Sequence, residues 1–476
     1  MTNEALILSA DDLLKSTRGS PLRGGTDWSC RGISTDTRTL NAGNLFIALK
    51  GEHFDGHDCL ARADERGAAA FLIQANASTK LAAAPEGLPV IGVPDTLQAL
   101  GDIAREWRRR FPVAVIAITG SSGKTSTKEM VATIVSRTRN VLKTEGNLNN
   151  RIGLPLTLLQ LNRVHELAVI EMGTNCPGEI AMLTAIAEPD IGLITNIGPA
   201  HLEGLGSLEG IREEKGSLFE TMAGRGHVIV NQDDPAIVLL AERWHGKRIL
   251  FGLSEGAEVT ARNIEPFGPE GTRFELLIGG VGVPVFLHCP GKHNVTNALA
   301  AAATAWSAGF DRTAIAAGLT AFRPLPGRNE IRHLQNGAYL MIDAYNANPS
   351  SMREALKTLL ELRGNDHAYA VLGDMLELGP ESKLFHEEIG SLLADIQPAH
   401  IFLKGSLTRF LAAEAIRRGF PKEEITFFEN PEDVVALLNS RLTPGDWILV
   451  KGSRKMKMEA VAEKIIEAFD LKPQTL

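Results

Sequence analysis

The apolar run VAVIAI (113–118) leads without a break into the glycine-rich segment TGSSGKT (119–125), and a helical pattern follows it. A strand, a glycine-rich turn and a helix in this order direct loop amides and a helix N-terminus toward one point, which favours a bound anion. Gly120 and Gly123 allow the backbone to approach that anion closely. The usual form of this loop has glycine where this chain has Ile118, so the segment is a shortened variant. It predicts a site for nucleotide phosphates.

The side chains of this loop have separate expected roles. Lys124 can reach the β- and γ-phosphates of a nucleoside triphosphate, and the Thr125 hydroxyl can ligate Mg²⁺. The alternative is a glycine- and serine-rich turn that precedes a helix without binding a ligand. The order of strand, loop and helix favours the phosphate site, whose expected ATP contacts are Thr119, Gly120, Ser121, Ser122, Gly123, Lys124, Thr125 and Ser126.

Short apolar runs alternate with helical stretches along most of the chain, which is typical of parallel sheets covered by helices on both faces. The alternation is interrupted by RPLPGR (323–328) and then restarts. We therefore predict an α/β protein of three domains. They are a small α/β N-terminal domain at 1–95, a central domain with a P-loop-type, mostly parallel sheet at 96–325, and a C-terminal Rossmann-like, doubly wound domain at 326–476.

The charge and cysteine content exclude several classes of protein. Lys and Arg number 49 and Asp and Glu number 57, so the net charge of −8 argues against a nucleic-acid partner. The N-terminus lacks the basic stretch of a signal peptide, and no apolar run approaches the roughly 18 residues of a membrane span. We expect a cytoplasmic protein with neither disulfides nor a thiolate metal site, because no CxxC pair occurs among Cys30, Cys59, Cys176 and Cys289.

Three further polar residues follow predicted strands of the central domain. Glu171 ends the run LAVIE, and His201 and Lys215 lie beyond the next run. Ligands of parallel sheets bind at the carboxyl ends of the strands, and Mg²⁺ prefers oxygen ligands, so Glu171 is a candidate metal ligand. Alternatively, Glu171 and His201 are residues at the rim of the sheet, and Lys215 lies on a solvated helix face. The spacing of Lys215 alone would not identify it as a site residue.

Segments along the whole chain carry a family resemblance. They are STDTRTLNAGNLFIALKGEHFDGH (34–57), ITGSSGKTS (118–126), EGNLNNRIGLP (145–155), EMGTN (171–175), AHLEG (200–204), PGKHNVTNALAAAA (290–303), DAYNANPSSM (343–352), VLGDMLELG (371–379) and LVKGSRKMKME (449–459). In this order they resemble the Mur ligase family, ATP-dependent amide-forming enzymes of bacterial cell-wall synthesis. The last three segments resemble the members that add a dipeptide.

The resemblance implies a reaction. We expect ATP-dependent ligation of D-alanyl-D-alanine to a UDP-N-acetylmuramoyl-tripeptide through an acyl phosphate, giving the pentapeptide precursor of peptidoglycan, ADP and phosphate. The N-terminal domain would bind the UDP substrate, the central domain ATP, and the C-terminal domain the incoming dipeptide, in a monomer. The alternative is the tripeptide-forming member, or another ATP-dependent amide ligase of the superfamily. Members that add meso-diaminopimelate carry a DNPR motif, which this sequence lacks.

The resemblance also implies residue roles. The expected catalytic residues are Lys124, Glu171, His201 and Lys215. Two Mg²⁺ ions would be held by Thr125, Glu171, His201 and Lys215, the last as a carbamate formed with CO₂. Further ATP contacts would be Asn294, Asn297, Arg328, Asp343 and Tyr345. The expected substrate contacts are Ser34, Thr35, Asp36, Arg38, Asn147, Asn149, Asn150, Lys451, Ser453 and Arg454.

Several of these residues also have plain structural interpretations. The segment 34–38 can be a polar turn with a local ion pair, and asparagines at 147–150 can cap turns. Asn294 and Asn297 lie in what is also a capped, Ala-rich packing helix. Asp343 can be a buried strand-end aspartate, and the cationic loop 451–454, which we interpret as a partner for the dipeptide carboxylate, can be a surface loop.

Overall fold

The computed structural model describes residues 6–77, 80 and 85–470. Contacts divide the chain into two units. The first comprises Met1–Ala117, Thr138–Gly173 and Glu179–Asp190, and the second comprises Ile118–Arg137, Thr174–Gly178 and Ile191–Leu476. Both units are mixed α/β structures, as the alternating pattern predicts.

The N-terminal part of the first unit is a small α/β structure. Its five-stranded sheet is parallel except at the first pair, and its strand order is Ser20–Arg23, Val90–Val93, Ala70–Gln74, Leu45–Ile47 and Ile33–Ser34. Phe46 and Phe71 from two of these strands pack against Leu60 of the short helix in one buried cluster. The remaining elements are Ile7–Ser9 paired with Ser29–Arg31, the helices Ala10–Thr17 and Leu60–Glu65, and the 3-10 helix Gly56–Cys59.

The rest of the first unit is built on a buried strand, Leu167–Glu171, which lies between Ala114–Thr119 and Val141–Lys143. The first helix of this part is Thr96–Arg108, and it begins where Asp95 Oδ1 accepts the N–H groups of its first turn. Its buried residues include Leu100, Ile103, Ala104 and Trp107, which have the three- and four-residue spacing of an amphipathic helix. The other helices of this part are Gly153–Leu158 and Glu179–Ala187.

The first part of the second unit contains four parallel strands followed by two antiparallel ones. The parallel strands are Ile191–Ile194, His227–Asn231, Lys247–Phe251 and Val259–Pro266. The sheet continues with two antiparallel strands, Thr272–Ile278 and Val281–Leu287. Burial alternates along Thr272–Ile278, which suits a sheet with one solvated face. Its helices are Lys124–Val135, Leu202–Leu205, Leu208–Met222, Pro235–Glu242, Lys292–Ser307 and Arg312–Ala321, with the 3-10 helix Gly268–Glu270.

The C-terminal part of the second unit is a doubly wound sheet, as predicted. The strand order is Glu330–His333, Tyr339–Asp343, Trp447–Lys451, Ala368–Gly373, His400–Lys404 and Ile425–Phe427, with only the first pair antiparallel. Apolar clusters cover both faces. The helices are Pro349–Arg363, Ser382–Ile396, Thr408–Arg417, Pro431–Arg441 and Glu459–Asp470, with 3-10 helices Gly379–Glu381, Lys422–Glu424 and Arg454–Met456.

The strand order of this sheet determines where a ligand can bind. Trp447–Lys451 lies between Tyr339–Asp343 and Ala368–Gly373, and Asp343 and Lys451 are partners in the register. The carboxyl ends of these strands and the loops that follow them therefore meet at one edge, which is where open α/β sheets bind ligands. Within the described residues, no helix has both the length and the apolar character needed to cross a membrane.

Candidate active site

The phosphate loop has the predicted geometry, and two of its glycines are sterically required. Gly120 has φ +148°, and a Cβ at this position would lie 1.9 Å from Thr195 Oγ1. Gly123 has φ +77°, and a Cβ there would lie 2.4 Å from Asn297 Oδ1. Gly123 directly precedes the helix Lys124–Val135. The path of the loop into the helix N-terminus therefore depends on both glycines.

Residues that follow the neighbouring strand fix the conformation of this loop. Thr195 Oγ1 donates a hydrogen bond of 2.6 Å to the Ser122 carbonyl, and the Ser122 N–H donates one of 2.9 Å to Asn196 Oδ1. Ser121 Oγ donates to the Gly198 carbonyl at 2.8 Å. The loop is therefore held in place by the protein itself. Sequence reasoning did not select Asn196, although its position directly after an apolar run was an available signal.

Lys124 lies at the start of the loop's helix and contributes to a cleft. Its Nζ donates a hydrogen bond of 2.6 Å to the Gly120 carbonyl, which curls the side chain back over the loop. The cleft brings together loops from distant parts of the second unit, and its lining residues are Ser121, Lys124, Ala200, His201, Asn346, Ala347, Asn348, Leu376, Glu377, Ser453, Arg454 and Lys455. Five predicted site residues, from both the central and the C-terminal parts of this unit, thus line one cavity.

Lys215 is not on a solvated helix face. It is buried, with 1% of its surface exposed, in the helix Leu208–Met222. Burial and then the positive charge of Lys124 lower the pKa of Lys215 to about 7, and the neighbouring Glu214 carboxylate acts in the opposite direction. The electrostatic effect of Lys124 places the two lysines within range of each other. An uncharged lysine amine is the form that can react with CO₂.

Glu171 ends a buried strand in the first unit, and one of its oxygens is available for a ligand. The side chain is buried, and Oε1 accepts a hydrogen bond of 2.8 Å from Asn149 Nδ2. Oε2 is buried without a hydrogen-bond partner among the described residues. A buried carboxylate oxygen without a partner is costly unless a cation or another donor binds it. Asn149 therefore contacts a candidate metal ligand, although the resemblance assigns it to the substrate.

The protein's donor atoms fit magnesium rather than a metal held by side chains alone. Across residues 6–77, 80 and 85–470, no group of three His, Cys, Asp or Glu residues is close enough to form a metal centre. Mg²⁺ is usually bound by one or two carboxylates, hydroxyls, waters and the phosphates of a substrate. In the first unit, Glu171 supplies a carboxylate oxygen of this kind, and in the second unit the buried residue Thr125 supplies a hydroxyl.

His201 contacts a residue that sequence reasoning did not select. Its Nδ1 lies 2.7 Å from Oε2 of Glu377. The hydrogen bond from His201 lowers the pKa of Glu377. Glu377 lies in the segment VLGDMLELG, after the strand Ala368–Gly373, and the only available signal was an acidic residue beyond a strand end.

Lys451 and Asp343 form an internal ion pair at the adjacent ends of two strands. Lys451 is 1% exposed and also donates a hydrogen bond of 3.1 Å to the Asn346 carbonyl. It does not line the cleft, unlike its neighbours Ser453 and Arg454. The pair connects the two strand ends, so Lys451 supports the loop containing Asn346.

The ring of Tyr345 is in contact with two arginines. The guanidinium carbon of Arg328 is 3.9 Å from the centre of the Tyr345 ring, and that of Arg454 is 5.3 Å from it. Cation–π contacts of this kind hold cationic groups in place without neutralising them. The structure thus brings together two predicted ATP contacts and one predicted dipeptide contact.

Asn294 and Asn297 lie in the first turns of the helix Lys292–Ser307. Asn294 is buried, and its Nδ2 donates to the Pro290 carbonyl at 2.8 Å. Asn297 borders the phosphate loop through its close approach to Gly123. The start of this helix therefore packs against the phosphate loop, as expected for one side of a nucleotide-binding site.

The predicted substrate residues of the first unit lie at the end of the strand Ile33–Ser34 and in polar loops. Asp36 forms an ion pair of 2.6 Å with Arg38, whose hydrogen bond lowers the pKa of Asp36 to about 2. Ser34 Oγ donates to the Asp36 carbonyl at 2.9 Å. Thr35 is half-buried beside them, and Asn147 is exposed. Asn150 Oδ1 accepts the Gly153 N–H at 2.9 Å, at the start of a helix.

The phosphate loop lies at a strand end, and the strand-end loops of a doubly wound sheet face it across one cleft. This arrangement is that of a protein that binds a nucleoside triphosphate beside a second ligand. Family models agree with this class. The Mur ligase middle domain matches residues 118–305, the Mur ligase glutamate ligase domain matches 327–454, and the Mur ligase family catalytic domain matches 29–108. The chain belongs to the Mur ligase family and has its three-domain organisation.

Individual relatives match almost end to end. The UDP-N-acetylmuramoyl-tripeptide–D-alanyl-D-alanine ligase of Bacillus subtilis is 36% identical over 457 residues, which cover 96% of this chain and 97% of that protein. A crystal structure of MurF from Acinetobacter baumannii has a TM-score of 0.88 at 32% identity and covers 97% and 99% of the two chains. MurF from Thermotoga maritima, in complex with ADP, has a TM-score of 0.82 at 29% identity, covering 92% and 97%. The predicted fold class is confirmed, while the predicted domain limits stay predictions.

Proposed function

We propose that this chain joins D-alanyl-D-alanine to a UDP-N-acetylmuramoyl-tripeptide, giving the UDP-muramoyl-pentapeptide precursor of peptidoglycan together with ADP and phosphate. The chain is an ATP-dependent ligase that forms an amide bond. The observation that carries the proposal is the single cleft lined by Lys124 of the phosphate loop, by His201 and by Arg454 of the C-terminal part. The full-length similarity to ligases of this name supports the choice of substrates.

The chemistry explains why ATP is needed. A carboxylate does not accept an amine directly, because oxide is not a viable leaving group. Transfer of the γ-phosphoryl group from ATP to the terminal carboxylate of the tripeptide gives an acyl phosphate and ADP. The free amine of the dipeptide attacks the carbonyl carbon, and the tetrahedral intermediate collapses with loss of phosphate and a proton.

Lys124 and the loop N–H groups neutralise charge on the transferring phosphoryl group. The loops of the C-terminal part cover the same cleft, and Asn348 Nδ2 donates a hydrogen bond of 3.2 Å to the Ser121 carbonyl in the phosphate loop. This contact helps to exclude water, which would otherwise hydrolyse an acyl phosphate. Arg454, beside Tyr345 and 3.6 Å from Glu459 Oε1, lines the cleft and would bind the carboxylate of the incoming dipeptide.

Two magnesium ions complete the proposed site. Thr125 and Glu171 would hold one, and His201 and Lys215 the other, with Lys215 as a carbamate. In the carbamate, Nζ of the uncharged Lys215 amine bonds to the carbon of CO₂ and loses one proton, which gives an anionic oxygen ligand. Bound Mg²⁺ would supply charge neutralisation at the phosphates. The free Oε2 of Glu171 and the burial of Lys215 support this arrangement.

The remaining predicted contacts complete the assignment as proposals. The N-terminal turn would bind the uracil and ribose of the substrate, and the helix start near Asn294 would bind the adenine of ATP. The segment 147–150 would supply the substrate contacts of the central domain. Because both ATP and a nucleotide-linked precursor are needed, we place the reaction in the cytoplasm. We propose that the protein acts as a monomer. The residues assigned to these contacts are Ser34, Thr35, Asp36, Arg38, Asn147, Asn149, Asn150, Asn294, Asn297, Arg328, Asp343, Tyr345, Lys451, Ser453 and Arg454.

An ADP-release assay tests the proposal. Purified protein with ATP and Mg²⁺ is given UDP-N-acetylmuramoyl-tripeptides ending in either diaminopimelate or lysine, each against a panel of amino acids and dipeptides. We expect ADP release only when D-alanyl-D-alanine is present, with a pentapeptide product by mass spectrometry. ADP release with a UDP-muramoyl-dipeptide and a free diamino acid would instead identify the tripeptide-forming alternative.

A further inference from the structure

Glu377 and His201 connect two parts of the chain that are 176 residues apart in sequence. His201 follows the strand Ile191–Ile194 of the central part, whereas Glu377 follows Ala368–Gly373 of the C-terminal part. The side chains meet at 2.7 Å, between His201 Nδ1 and Glu377 Oε2. The backbone adds a second contact, because the Glu203 N–H donates a hydrogen bond of 3.1 Å to the Glu377 carbonyl.

The backbone at both residues is unusual. His201 has φ +58° and Glu377 has φ +64°, so both lie in the left-handed region that side chains other than glycine rarely adopt. Such conformations persist only where the surrounding structure holds them, and they concentrate at functional sites. The loop of Glu377 also approaches closely, since a Cβ at Gly379 (φ +57°) would lie 3.4 Å from Glu203 Cα. The backbone conformations of both loops therefore support the contact between His201 and Glu377.

Apolar packing supports the same contact. Leu202 and Leu205, within four residues after His201, are buried in one cluster with Met375 and Leu378, which lie within two residues of Glu377. An isolated hydrogen bond between partly exposed side chains contributes little, and 45% of the Glu377 side chain is exposed. The shared apolar cluster strengthens the contact, because it holds both loops in place and so lowers the entropy cost of aligning the two side chains.

The contact determines which nitrogen of His201 can serve the site. With Nδ1 donating to the Glu377 carboxylate, Nε2 is the nitrogen left for a ligand, and the ring is fixed in one orientation. His201 and Glu377 both line the cleft that contains Lys124. We propose that Glu377, in the C-terminal part, is a positioning residue that orients the ring of His201 toward the phosphate end of the cleft. This inference rests on the proposed function, which gives His201 its role.

The test compares three variants. Glu377→Gly removes the side chain but suits the positive φ, Glu377→Gln keeps the shape and removes the charge, and Glu381→Gln is the control. Glu381 is exposed, and no side-chain partner for it occurs among the described residues. Loss of a group that orients a metal-binding histidine commonly costs about ten- to hundredfold. We expect that loss in kcat for Glu377→Gly, a smaller loss for Glu377→Gln, and none for the control.

Two further measurements exclude a general loss of structure. In the His201→Asn background, Glu377→Gly should cost nothing more, since its effect acts through the ring; an equal cost in both backgrounds would overturn the proposal. Nitrogen-15 NMR of the histidine rings should show the Nδ1–H tautomer of His201 in the native enzyme and in Glu381→Gln, and its loss in Glu377→Gly. An unchanged tautomer in Glu377→Gly would equally count against positioning.

The outcome is separable from that of the proposed function. If the native enzyme releases no ADP in response to D-alanyl-D-alanine, the proposed function fails. If the native enzyme is active and Glu377→Gly matches Glu381→Gln in kcat, only the positioning role is overturned. Melting temperatures of all variants establish that the compared proteins are folded.

Discussion

Asn149 donates a hydrogen bond of 2.8 Å from Nδ2 to Oε1 of Glu171. The bond fixes the plane of the carboxylate and leaves Oε2 buried without a partner among the described residues. The contact is reinforced because the Gly173 N–H donates to the Asn149 carbonyl at 2.8 Å. Asn149 thus determines the direction in which Glu171 presents its free oxygen.

Replacing Asn149 with alanine should weaken magnesium binding. Without the amide, the Glu171 carboxylate can rotate, and we expect the Mg²⁺ concentration for half-maximal ADP release to rise about tenfold. Titration of Mg²⁺ at saturating ATP measures this directly. Asn140→Ala, at an exposed position of the same unit, is the control. An unchanged Mg²⁺ requirement would show that Asn149 does not act through Glu171.

Replacing Lys124 with alanine should abolish most activity. The lysine provides positive charge at the transferring phosphoryl group, and loss of such a group costs about 10³-fold or more in rate. Single-turnover ADP formation distinguishes this loss from slow product release. Lys247→Ala removes an exposed lysine and should retain native turnover. Near-native rates for Lys124→Ala would contradict the phosphate-loop assignment.

Lys215→Ala should be inactive but partly recovered by added short carboxylic acids. The acid would enter the space left by the side chain and supply the oxygen ligand that a carbamate provides. Steady-state rates with and without acetate or propionate test this, and Lys124→Ala should show no such recovery. Full activity of Lys215→Ala without any acid would rule out the carbamate.

Gly120→Ala should destabilise the phosphate loop. The new Cβ would lie 1.9 Å from Thr195 Oγ1, at φ +148°, so the loop or Thr195 must move. We expect a stability loss of about 2–3 kcal/mol, measured by urea denaturation, and weaker ATP binding, measured by calorimetry. Gly25→Ala is a suitable control because its Cβ position is open. Equal ATP affinity in both variants would show that the loop tolerates a side chain.

The cysteines should differ strongly in reactivity. Burial raises the pKa of Cys30 to about 11 and that of Cys289 to about 12, so both remain thiols near pH 8 and are shielded from reagents. Cys176 is exposed. Iodoacetamide at pH 8 should therefore modify Cys176 in the native protein and the two buried cysteines only after denaturation. Mass spectrometry of the native protein checks this, and rapid native labelling of Cys289 would contradict the described core.

Local patterns predicted the elements of this protein well. The run before TGSSGKT is a strand and the segment after it is a helix, because apolar spacing and glycine positions act within a few residues of each other. The antiparallel strands Thr272–Ile278 and Val281–Leu287 were not among the predicted strands. Pairing direction depends on which strands lie beside each other.

The sequence alone determined the phosphate loop, the α/β alternation and the family, because these depend on residue type and order along short stretches. Only the tertiary structure decided that Glu377 contacts His201, that Lys451 pairs with Asp343 instead of lining the cleft, and that Lys215 is buried. These facts depend on packing between segments far apart in sequence. A side chain's charge, accessibility and partners are set by the neighbours that folding brings to it.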